Sequence, residues 1–119
     1  MSKDTGFSIT SAERYSLALY ELSTESSVTA QIEEQSLTIL KLLEQSKDFS
    51  NLIKDPTTSQ DDLLKVVNTI SENYKFDQLL KNFLSFLIQK RRFFFVERIL
   101  KSFIEICSEK RGELKTEIK

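Results

Sequence analysis

The sequence has 119 residues, 39% hydrophobic and 29% charged, which is enough to build one compact core but hardly two. A formal net charge of -1 supplies no general attraction for a phosphate backbone or an anionic lipid surface, so nucleic-acid binding would have to rest on a local cationic patch. Zero histidines and a single cysteine, Cys107, remove the commonest general base, the commonest metal ligand and any internal disulfide, which argues against catalysis and against a metal site.

Two glycines and one proline in a chain rich in Leu, Ile, Lys, Glu and Ser favour long helices joined by brief turns, so the expected class is all-α, a compact bundle of about six helices. No charge-free run approaches the roughly 20 residues needed to cross a bilayer, and "MSKDTGFSIT" lacks the apolar centre of a signal peptide. Neither membrane insertion nor secretion is expected. Residues 1–10 read as a flexible tail. Thr10 with Glu13 matches a capping box, and Tyr15, Leu19 and Leu22 carry a first helix to about Thr24. Val28, Ile32, Ile39 and Leu43 mark a second helix ending near Ser46. Asp48 is the expected cap of a short third one, "FSNLIK", which Asp55 and Pro56 stop.

Ser59 with Asp62 opens a fourth helix through Leu63, Val66, Val67 and Ile70, broken by "SENYKF". The fifth is expected from Asp77 to Gln89, and the sixth from near Phe93 to the region before Gly112, a natural stop. The helical domain is thus expected over residues 11–111. The remainder, "ELKTEIK", alternates in period two without a strand to pair with, so residues 112–119 read as the start of a further, missing domain.

The fifth helix raises the main question. Counted at about 100° per residue, Leu80, Leu84, Leu87 and Ile88 share one face, while Leu79, Phe83 and Phe86 share an adjoining one. The combined arc of about 200° exceeds a single core stripe. Either other helices surround it, or Leu79, Phe83 and Phe86 dock a partner. The first helix repeats the pattern more weakly. Ala12, Leu19 and Tyr20 face a core while Tyr15, Ala18 and Leu22 lie to one side, and Ala18 leaves room for another helix, internal or external.

"QKRRFFF" is the local cationic patch. Lys90, Arg91, Arg92 and Phe94 could serve a small RNA-binding module, since cations meet phosphates and aromatics stack on bases. The stronger reading is that the three cations complement the dipole at a helix C-terminus, with Phe93 and Phe95 turned into the core and Phe94 unexplained. Cys107 lies on an apolar face and reads as a buried small hydrophobe. Adjacent carboxylates, Glu33 with Glu34 and Asp61 with Asp62, point apart on a helix surface and suit solvation and capping better than acid/base work. No catalytic residue, cofactor or metal ligand is expected.

"AERYSLALYELS" at 12–23 resembles the A-x-x-Y-A-x-A-L-F-x-x-A opening of the delta subunit of rotary F-type ATP synthases, the oligomycin-sensitivity-conferring protein family. "NFLSFLIQKRR" at 82–92 is similar to that family's N-F-L-x-L-L-x-x-N-x-R, followed by its I-x-x-x-F as Ile99 to Phe103 and its closing glycine as Gly112. Departures are Ser16 for alanine, Tyr20 for phenylalanine, and Lys90-Arg91 for Asn-Gly at the turn after the fifth helix. The resemblance implies a non-catalytic stator connector. Its helical domain grips N-terminal helices of alpha subunits in a groove between the first and fifth helices, and a C-terminal domain engages the b-type stalk subunit. By position the groove falls on Tyr15, Ala18, Asn82, Phe83 and Phe86, to which helical geometry adds Leu22 and Leu79. The implied location is peripheral, on the cytoplasmic face of a bacterial inner membrane or the matrix face of the mitochondrial one. A generic adaptor for another amphipathic peptide shares the groove but not the partner.

Overall fold

The computed structural model describes the backbone of residues 2–55 and 57–111 and the side chains of 12–55 and 57–110. It holds six α-helices, α1 (Ser2–Glu25), α2 (Thr29–Gln45), α3 (Lys47–Lys54), α4 (Gln60–Tyr74), α5 (Gln78–Gln89) and α6 (Val96–Arg111), with a 3-10 turn at Phe93–Phe95 before the last. No strand occurs among the described residues, as the composition predicts, and residues 112–119 lie outside them. No described helix is long and apolar enough to cross a membrane.

The sixth helix is the axis of packing. Its Val96, Ile99, Leu100, Phe103 and Cys107, spaced three and four apart, are all buried, and it packs against α1 and α2. Helices α4 and α5 pack together, α3 leans on α2, and α1 also touches α2 and α5. Leu19 of α1, Ile32 and Ile39 of α2, Val67 of α4 and Leu80, Leu84 and Leu87 of α5 complete the core. At the α1–α6 crossing Ser16 is fully buried. Its hydroxyl lies 2.9 Å from the Ala12 carbonyl and 3.0 Å from the Ser102 hydroxyl, so serine in place of alanine there is satisfied within the protein.

Several boundaries differ from the sequence reading. The backbone is helical from Ser2, so Thr10 does not start α1. Extension costs little once a packed helix has nucleated, and Ser2 to Thr10 contains no proline. Ser46, not Asp48, caps α3: its hydroxyl accepts from the Phe49 amide at 3.2 Å, while Asp48 sits in the first turn, where its charge suits the helix dipole. The fourth helix continues through most of "SENYKF" and turns at Lys75. Ser59 does cap it, accepting from the Asp62 amide at 3.1 Å. The three phenylalanines expected at the start of the sixth helix form the 3-10 turn instead, with Phe93 inward (3% exposed) and Phe94 outward (52%). Asp55 ends α3, and its carboxylate accepts from the Thr57 hydroxyl at 2.7 Å and the Thr57 amide at 2.9 Å, which hold it below the ordinary carboxylate range.

With so few glycines, three helices stop on a left-handed residue that is not glycine. Ser27, Lys75 and Arg91 have φ of 60°, 55° and 59°. In each case the next amide reaches back across the turn, Val28 to the Ser23 carbonyl (2.8 Å), Phe76 to Ser71 (2.9 Å) and Arg92 to Leu87 (2.8 Å), which is the Schellman closure. A Cβ in this conformation costs roughly 1–2 kcal/mol. Ser27→Gly and Lys75→Gly, both at exposed sites, are therefore each expected to stabilise the fold by about 1 kcal/mol, read as a rise in the denaturation midpoint at unchanged slope. Unchanged or lowered midpoints would show that the turns carry no strain.

Candidate docking groove between the first and fifth helices

The sequence-predicted site residues fall on two neighbouring helices, and the structure brings part of the set together. Tyr15 and Phe86 meet edge to face, with ring centroids 6.1 Å apart and planes inclined by 63°. From Tyr15, half-buried, the stripe continues along α1 through Ala18 and Leu22 at spacings of three and four; Ala18 is exposed and Leu22 is 45% exposed. On α5, Phe86 is 41% exposed and Leu79 half-buried, while Asn82 is exposed and accepts from Gln78 Nε2 at 2.9 Å. Asp77 caps α5 by accepting from the Leu79 amide at 2.9 Å, which fixes the start of this face.

Phe83 is the exception. It is 5% exposed and belongs to the core with Leu80, Leu84, Leu87 and Ile88. At about 100° per residue it stands only about 60° from Leu80 around the helix, within reach of the buried stripe, whereas Leu79 and Phe86 stand about 100° and 120° away. The wide apolar arc of α5 is therefore split after Phe83. Its buried part packs internally, while Leu79 and Phe86 remain partly accessible, Phe86 against Tyr15 of α1.

Lys90 closes one end of this strip, its Nζ 5.7 Å from the centroid of the Phe86 ring. Sequence reasoning treated Lys90 as a helix-end cation and missed this placement; the signal was its spacing of four from Phe86, which stacks the two on one helix face. The Lys90-Arg91 turn, in place of Asn-Gly, is a Schellman closure with Arg91 left-handed.

The strip offers shape, apolar area and one terminal cation. No group of three or more His, Cys, Asp or Glu suited to a metal occurs among the described residues. Cys107 is 2% exposed on the inner face of α6, remote in kind from a reactive thiol. Native labelling of Cys107 by a thiol reagent is expected to be at least about a hundredfold slower than in denaturant, because reagent access requires opening of the bundle. Equal rates in the two conditions would contradict that burial.

Comparison with known proteins bears on the fold and the family. The family model described as ATP synthase delta (OSCP) subunit matches residues 12–119. The chain is 58% identical over 118 residues to an ATP synthase subunit delta of Pelagibacter ubique (strain HTCC1062), covering 99% of this chain and 64% of that protein. It is 34% identical over 107 residues to the ATP synthase subunit delta of Chelativorans sp. (strain BNC1), covering 90% and 58% respectively. A chain in the cryo-EM structure of the Toxoplasma gondii mitochondrial ATP synthase hexamer shares the fold, with a TM-score of 0.73 at 24% identity over 77% of this chain and 51% of that one. The chain thus spans about three fifths of the length of the curated relatives it matches. On the family match and the 58% identity, the chain belongs to the ATP synthase delta (OSCP) subunit family.

Proposed function

We propose that the protein is a non-catalytic stator component of a rotary ATP synthase and that the strip between α1 and α5 holds an N-terminal helix of an alpha subunit. The observation that carries this reading is the edge-to-face pair of Tyr15 and Phe86, flanked by Ala18 and Leu22 on one helix and Leu79 on the other, all at least partly accessible. Apolar side chains left beside one another at the surface of a helical bundle suit an amphipathic helix laid along them. Ala18 permits close approach of its backbone.

In this role the domain over residues 11–111 is a rigid bracket. Torque on the catalytic head has to be resisted by a static tether, and burial of several large apolar side chains, each worth about 1.5–3 kcal/mol when complete, offsets the cost of ordering a partner's tail. The b-type stalk subunit is the proposed partner of the part of the family's length that this chain does not span. The proposed location is peripheral, on the cytoplasmic face of a bacterial inner membrane or the matrix face of the mitochondrial one.

Calorimetric titration of the chain with an alpha-subunit N-terminal peptide tests this. Saturable binding that changes little between low and moderate salt is expected, because the contact is mainly apolar. Affinity that collapses with salt, together with binding of single-stranded RNA, would favour the rival use of Lys90, Arg91, Arg92 and Phe94.

A further inference from the structure

On the far side of α5 from this strip the surface is indented above the core. A cavity of about 440 Å³ is floored by Ile53, Leu63, Ile88 and Phe93, all of them core residues. That volume is within the roughly 300–1,000 Å³ typical of small-ligand sites. Its outer wall is Phe94, the most exposed large apolar side chain among the described residues at 52%. Phe94 is held in place by Phe95, with ring centroids 4.3 Å apart and planes inclined by 33°. An aromatic ring so placed, fixed from behind and wet in front, extends an apolar floor towards solvent.

The polar groups at the mouth are unequal. Gln60 is occupied, its Nε2 donating to the Ile88 carbonyl at 3.0 Å, and Thr58 donates to the Leu52 carbonyl at 2.8 Å. Asp55 is engaged by Thr57, and Lys54 stands 4.0 Å from Glu97. Arg91 also lines the mouth, forms no ion pair among the described residues and is held at φ 59° by the Schellman closure after α5. At the mouth Lys54 is set against Glu97 and Asp55 is an ionised carboxylate turned to Thr57, so the uncommitted charged donor is the Arg91 guanidinium, which suits a carboxylate in planar, bidentate fashion.

We infer that this cavity is a binding site for an amphipathic monocarboxylate, an unbranched alkyl chain entering over Phe94 onto Leu63, Ile88 and Phe93 with its carboxylate at Arg91. The site is separate from the docking strip and does not rest on the proposed stator role. Dodecanoate, kept below its micelle concentration, is the probe, titrated into the 119-residue chain and followed residue by residue by NMR. Saturable shifts centred on Leu63, Ile88 and Phe93 are expected. Dodecyltrimethylammonium, with the same chain and the opposite charge, should bind at least about tenfold more weakly.

Arg91→Glu should weaken dodecanoate by about tenfold without weakening the ammonium probe, and Phe94→Ala should weaken both by about fivefold. Both residues are exposed, so the variants are expected to fold, which thermal melting checks in advance. Absence of saturation, shifts centred on Tyr15 and Phe86, equal affinity for the two head groups, or an unaffected Arg91→Glu variant would each overturn the assignment.

Discussion

Phe83→Ala is expected to destabilise the protein by about 3–5 kcal/mol, the cost of emptying a packed aromatic site in a core. The ring is 5% exposed and sits in the buried face of α5 between Leu80 and Leu87, so its removal leaves a void that neighbouring helices cannot close without moving. For a domain of this size the loss corresponds to a fall in melting temperature of more than about 10 °C, and it is a large share of the 5–15 kcal/mol that holds a typical domain together. Phe86→Ala, three residues on, is expected to cost about 1 kcal/mol or less, since the ring is 41% exposed and gives up one edge contact with Tyr15 and the approach of Lys90. Melting curves on the two variants decide the matter: similar losses would mean that α5 is not divided between an inner and an outer apolar face as the structure has it.

Ala18→Asp is expected to abolish docking of the proposed alpha-subunit helix, lowering affinity by a hundredfold or more, while leaving the melting temperature within a few degrees. Ala18 is exposed in the free protein, so a carboxylate there remains hydrated and costs the fold little. In a complex the same carboxylate would be covered by an apolar helix face, and a charge withdrawn from water carries a penalty of several kcal/mol, which Arg14, one turn earlier on α1, offsets only in part. Phe86→Ala should lower affinity by about tenfold, in keeping with about 1.5 kcal/mol for a partly buried ring. Lys90→Gln, at the end of the strip, should have a smaller effect. Retention of full peptide affinity by Ala18→Asp would remove α1 from the interface, and with it the groove reading, whatever the outcome for dodecanoate at the other cavity.

Much of this was legible without coordinates because it depends on spacing alone. The buried series in α6, from Val96 through Phe103 to Cys107, repeats every three or four residues, and no helix end interrupts it, so composition and period together specify the helix and its inner face. The cap at Ser59 was readable for the same reason: it is a side chain acting on an amide three residues away. The outward stripe of Tyr15, Ala18 and Leu22 also follows from α1's own periodicity.

What the sequence left open is what a helix cannot decide about itself. Phe83 stands between the two faces of α5, and its burial depends on how α5 rotates against its neighbours, which is settled by the sum of long-range packing rather than by any local preference. The cap of α3 passed from Asp48 to Ser46 because the chain leaves α2 in an extended conformation at Ser46, where its hydroxyl accepts from the Phe49 amide. The start of α1 moved to Ser2 because helix extension follows nucleation elsewhere, so a local capping pattern at Thr10 was not sufficient to stop it. The opening beneath Phe94 could not be foreseen at all. It is enclosed by residues from α3, α4, α5 and the 3-10 turn, and a cavity is a property of how separate surfaces fail to close, for which no single segment carries a sign.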